Sequence, residues 1–97
     1  MIVVRNVFQA KYGQGDALVE LIKEGRGFWP EDMHPPRILT DLSGAFFTVV
    51  MEYETDSLAQ FEELQPRLME NPDFGEWFGR MMELVEGGTR DFYTIQA

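Results

Sequence analysis

Residues 45–54 form the longest β-like run of the chain, and their two faces differ in a useful way. Phe47, Val49, Met51 and Tyr53 fall on one side of such a strand. Phe46, Thr48 and Val50 fall on the other, which turns acidic at Glu52 and Glu54. Apolar groups on both faces require cover on both sides. Helices of this chain can supply one cover, and a second copy of the protein the other. Ser43-Gly44 separates this run from another extended stretch at 37–42, so the spacing predicts a two-residue hairpin.

The same alternation predicts a first strand over 2–10. Ile2, Val4, Phe8 and Ala10 share one face with the polar Asn6, and Val3, Arg5, Val7 and Gln9 share the other. Tyr12-Gly13-Gln14-Gly15 is a turn, after which Ala17, Leu18, Leu21 and Ile22 recur at helical spacing. Asp16 and Glu20 near the start, with Lys23 and Arg26 near the end, suit the helix dipole. Gly25 and Gly27 end this helix. Residues 28–36 are a loop held by Pro30, Pro35 and Pro36, and it carries Trp29, Met33 and His34.

A second helix begins at Ser57, where Ser57 and Gln60 have capping-box spacing. Leu58, Phe61, Leu64 and Leu68 mark its buried face, and Pro66 is expected to kink or divide it. Asn71-Pro72-Asp73 opens a further helical segment with the stripe Phe74, Trp77, Phe78, Met81, Leu84 and Val85. Gly87-Gly88 is expected to stop that segment, and 90–95 to form a last strand. The order strand, helix, strand, strand, broken helix, strand has one economical solution. It is an α+β ferredoxin-like βαββαβ fold with an antiparallel four-stranded sheet and a kinked second helix, its first and third strands central. The 97 residues make a single domain, 1–97.

Composition narrows the functional classes. The chain carries 8 Lys and Arg against 17 Asp and Glu, a net charge of −9, which excludes the basic clusters needed for nucleic acid or an anionic membrane surface. It has no cysteine, so disulfides, thiolate chemistry and cysteine metal sites are excluded, and a reducing cytoplasmic setting is expected. No apolar run approaches the roughly 20 residues of a membrane span. The opening Met1-Ile2-Val3-Val4-Arg5 reads as strand rather than secretory signal. No phosphate-binding glycine loop, Ser-His-Asp order, zinc spacing or calcium loop is present, so no metal or cofactor is expected.

Three short segments resemble the dimeric α+β barrel superfamily: Phe8-Gln9-Ala10-Lys11-Tyr12-Gly13, Met51-Glu52-Tyr53-Glu54-Thr55-Asp56-Ser57 and Asn71-Pro72-Asp73-Phe74. That group includes antibiotic-biosynthesis-type monooxygenases, haem-degrading monooxygenases and NIPSNAP-like proteins, and the resemblance spans the whole chain. It implies a homodimer in which two sheets face each other, with a ligand pocket between sheet and helices. The haem-degrading members carry an asparagine on the first strand, and Asn6 matches it. At the places of their tryptophan and iron-ligating histidine this chain has Leu64 and Phe78, so haem ligation of that kind is not implied.

The candidate site residues each have a bland alternative. Asn6 can orient a ligand or oxygen, or can be an amide satisfied by backbone. His34 can serve as a general base, yet between Met33 and two prolines, with no carboxylate at a persuasive spacing, it reads more readily as a plain loop histidine. Trp29, Phe74, Trp77, Phe78 and Met81 can line an apolar cavity or simply be core. Glu52, Glu54 and Asp56 form an acidic end to the third strand, a cation site or a solvated edge. Arg5 and Arg90 can pair with those acids or hold an anionic ligand.

Three functions follow as expectations. One is binding of a small, mostly apolar molecule. Another is cofactor-independent monooxygenation of an aromatic, in which the substrate carbanion reduces oxygen and Asn6 or His34 anchors it. The third is a purely structural dimerisation domain.

Overall fold

The computed structural model describes all 97 residues. Alternation over the first stretch becomes strand β1 (Ile2–Ala10), followed by helix α1 (Gly15–Gly25), which tightens into a 3-10 turn at Arg26–Phe28. Strands β2 (Arg37–Thr40) and β3 (Thr48–Thr55) come next, then helices α2 (Leu58–Met69) and α3 (Phe74–Leu84), and strand β4 (Val85–Thr94). The strands lie in the order β2-β3-β1-β4, every neighbour antiparallel. This is the βαββαβ arrangement with a divided second helix, and β1 and β3 hold the centre.

Local chemistry accounts for the helix starts. At α2 the backbone N–H of Gln60 donates to Ser57 Oγ at 3.1 Å, and Gln60 Oε1 accepts from the N–H of Asp56 at 2.7 Å. One of the donors that a helix start leaves unpaired is thereby satisfied, and the residue before the cap is tied back to the first turn. Before α3, Asn71 Oδ1 accepts from the N–H of Asp73 at 2.9 Å, and the chain turns there before the helix begins.

Three boundaries differ from the pattern-based expectation. The β2–β3 connection spans 41–47 rather than two residues, and β3 starts at Thr48. Gly44 and Phe47 both take positive φ, 90° and 58°. Phe47 leaves the strand because its ring packs against Gly15 and lies edge-on to Tyr12, with ring centroids 4.8 Å apart. The second difference is Pro66, which sits inside α2, while the break falls at 70–73. Pro66 and Glu62 are both exposed, so the carbonyl that loses its helical partner stays open to solvent.

Thirdly, Gly87 and Gly88 do not stop a helix. Helix α3 ends at Leu84, and the glycines lie within β4 opposite Gln9 and Phe8. A Cβ on Gly88 would run into the carbonyl oxygen of Val7, so this glycine permits a close approach of two strands beside a register shift at Gln9/Ala10.

All helices cover one face of the sheet. Ala10 and Val49 pack with Leu18, Leu21, Ile22 and Met81, while Val4 and Tyr53 pack with Met33 and Leu64. The chain is a slab of 36 × 35 × 18 Å, two layers thick. The outer face carries a transverse row of alternating charge, Arg37–Glu52–Arg5–Asp91, set by the strand register. Beside it runs the row Leu39–Val50–Val7.

Glu52 is the anchor of the charged row. Its side chain is only 8% exposed, and it accepts from Arg5 Nε at 2.7 Å and from Arg37 Nε at 3.0 Å. Burial pushes its pKa up, but the hydrogen bonds and charges of the two arginines outweigh that, so the net shift is downward. A depressed carboxylate stabilises the fold above the ordinary glutamate pKa and loses that contribution as pH falls through the folded value. Glu52→Gln is therefore expected to cost about 1 kcal/mol at neutral pH, a modest figure because both arginines are substantially solvated. Urea titrations should show the two proteins converging as pH drops below the carboxylate range. A constant gap at every pH would contradict this role.

Candidate functional site

The inner face of the sheet and the helices enclose an open cleft of about 1000 Å³. Asn6 lies on its floor, paired across the strands with Met51 on one side and Arg90 on the other. Helix α3 contributes Phe74, Trp77, Phe78 and Met81, helix α2 contributes Phe61 and Leu64, and the loop before β2 contributes Trp29.

The two tryptophans are fixed by their ring N–H groups. Trp77 Nε1 donates to the Leu21 carbonyl at 2.7 Å, and the indole lies so close over Gly25 that a Cβ there would stand 2.5 Å from it. Phe74 stacks on it at 5.5 Å, and Phe28 meets it edge-on at 6.0 Å. Trp29 Nε1 donates to the His34 carbonyl at 2.7 Å, and its ring meets Tyr53 at 4.8 Å. With each indole N–H satisfied by backbone, what remains for a ligand is apolar surface.

Against these walls stand a few polar groups. Asn6 is half-buried, and its amide takes part in none of the side-chain hydrogen bonds that tie the fold together. Burial pushes the Tyr53 hydroxyl up to about 12, with the charge of Arg90 opposing the shift, so it stays protonated and can donate at neutral pH. Arg90 forms no ion pair; its guanidinium lies over the rings of Phe61 and Phe92, at 5.2 and 5.5 Å.

Six of the residues singled out from sequence thus border one cleft: Asn6, Trp29, Phe74, Trp77, Phe78 and Met81. His34 does not join them. It is exposed and borders a smaller depression of about 340 Å³ with Arg37, Glu52 and Glu54, so no imidazole reaches the Asn6 cleft. Leu64 and Phe78 offer no ligand atom, and the cleft therefore does not suit haem held through an imidazole. The two arginines left open by the sequence separate: Arg5 is bound to Glu52 on the outer face, while Arg90 borders the cleft. Glu52 is occupied by its two arginines rather than forming a cation site with Glu54. Tyr53 and Phe61 are among the cleft residues that sequence reasoning missed. Alternation already put Tyr53 on the face of Val49 and Met51; only the strand register placed it near Asn6.

No family model and no curated protein matches this chain. Solved structures do. An uncharacterized NIPSNAP domain protein from Burkholderia xenovorans superposes with a TM-score of 0.88 at 19% identity, covering 100% of this chain and 96% of that one. A NIPSNAP family protein from Agrobacterium tumefaciens gives 0.83 at 15% identity, covering 98% and 85%. An antibiotic-biosynthesis-monooxygenase-like protein from Nitrosomonas europaea gives 0.76 at 13%, covering 100% of both. The chain therefore has the ferredoxin-like α+β fold of these NIPSNAP and monooxygenase-like structures. Of these three neighbours, the two NIPSNAP proteins are the more similar in structure.

Proposed function

We propose that the protein binds a small, mostly apolar molecule in the cleft between sheet and helices, acting as a cytoplasmic homodimer. The observation that carries this reading is Asn6: one half-buried amide, free of protein hydrogen bonds, on the floor of a cleft walled by Trp77, Phe74 and Met81. Ligand sites commonly combine apolar walls with a few convergent polar groups. An open cleft of this size also supports binding over a purely structural role.

Calorimetric titration with naphthol, an aromatic bearing one hydroxyl, tests the reading. Asn6→Ala is expected to weaken binding by about tenfold, the worth of one well-formed hydrogen bond in an apolar site. Absence of any heat with naphthol and other bicyclic aromatics would overturn it.

Catalysis is the second reading, a cofactor-independent monooxygenase acting on an aromatic. It is supported by Asn6 beside aromatic walls and by the likeness to a monooxygenase-like protein. Oxygen uptake with a quinol, lost in Asn6→Ala, would select it.

The homodimer is supported by the outer face. None of the chain's own helices covers the row Leu39–Val50–Val7. The adjacent charged row is self-complementary: turned end for end by a twofold axis, it sets Arg37 opposite Asp91 and Glu52 opposite Arg5.

A further inference from the structure

We propose that the ligand of this cleft is an anion, an aromatic carboxylate whose ring lies against Trp77 and whose carboxylate is held by Arg90 and Asn6. This rests on the binding reading above and adds the ligand's charge and its orientation.

Arg90 is the observation that leads there. Arg5, Lys23, Arg37, Arg67 and Arg80 each pair with a carboxylate of the chain. Arg90 has none, although the chain holds 17 Asp and Glu. Its neighbour Asp91 cannot serve, because alternation turns Asp91 to the outer face opposite Arg5. Among the residues bordering the cleft the charged ones are Arg26, Arg90 and Glu62, two cations against one anion in a protein of net charge −9. Glu62 forms no ion pair with either arginine. The cleft is thus a cationic spot on an acidic molecule.

Position and shape point to a carboxylate. Phe61 and Phe92 meet edge to face at 4.9 Å, and the Arg90 guanidinium lies over both rings. None of the chain's side-chain hydrogen bonds uses the Arg90 guanidinium, so its N–H fork is left for a planar acceptor. Asn6 is the direct cross-strand partner of Arg90 and shares its face of the sheet, so a neutral amide donor and the guanidinium border the same cleft. One carboxylate oxygen can accept from Arg90 while the other accepts from Asn6. A phosphate would call for more positive charge or a cradle of backbone N–H groups, and the cleft has neither. The aromatic walls described above then receive the body of the ligand.

Calorimetric titration with naphthoate and with its uncharged amide, naphthamide, separates the charge from the shape. Naphthoate is expected to bind at least about tenfold more tightly to the unaltered protein, a gap that narrows as salt is raised. In Arg90→Met, which keeps an apolar stem over the phenyl rings, the preference for naphthoate should vanish. Equal binding of the two compounds to the unaltered protein would overturn the anion proposal while leaving the binding reading intact, and so would a preference that survives in Arg90→Met. If neither compound binds, both readings fall.

Discussion

Leu18→Ala is expected to lower the free energy of unfolding by about 2–5 kcal/mol. Leu18 is fully buried in the first turn of α1 and packs within the cluster of Ala10, Leu21, Ile22, Val49 and Met81. The loss combines transfer of the missing methyl groups with the cavity they leave. Only 14 of the 97 residues are buried, so few other contacts can compensate. A small domain holds about 5–15 kcal/mol in total, and this one change takes a large part of it. Urea unfolding followed by far-UV circular dichroism measures the effect. Leu42→Ala, at a fully exposed loop position, serves as control and should stay within about 0.5 kcal/mol of the unaltered protein. A loss below about 1 kcal/mol for Leu18→Ala would mean that α1 is not seated on β1 and β3 as described.

Val50→Lys is expected to convert the proposed dimer to a monomer at micromolar concentration. Val50 sits at the middle of the outer apolar row, between Leu39 and Val7. Against a second copy, a lysine there would be desolvated without a carboxylate partner and would face apolar surface, at a cost of several kcal/mol. Light scattering should give two chains for the unaltered protein and one for the variant. The melting temperature of the unaltered protein should also rise with its concentration, as linkage to assembly requires. A single-chain mass for the unaltered protein would remove the dimer and leave the outer face to water. Helical content should be the same in both proteins, because Val50 belongs to neither buried cluster.

How much of this was legible beforehand differs between the fold and the cleft. Alternation over β1 placed Asn6 with Val4 and Phe8, and helical spacing in α3 grouped Phe74, Trp77, Phe78 and Met81. Once the topology is known, both stripes must face each other, since each is the buried side of its own element. The sorting of Arg5 and Arg90 was not legible, because it depends on which strands are neighbours. Arg5 meets Glu52 across β1 and β3, whereas Arg90 lies opposite Asn6, with Met51 and Ile38 beyond it in the same row. His34 shows the same limit. Its chemistry suits catalysis, but the loop turns so that only its backbone carbonyl serves the cleft, by holding Trp29.

Local pattern by itself determined the number, kind and order of the elements, because side-chain periodicity and caps act within a few residues. Tertiary contact decided the exceptions. Phe47 leaves the strand to pack on Gly15 and Tyr12, and Gly88 serves a close strand crossing rather than a helix end. These outcomes depend on atoms far apart in the chain, whose proximity is set by strand pairing and helix docking together, and no local window contains that information.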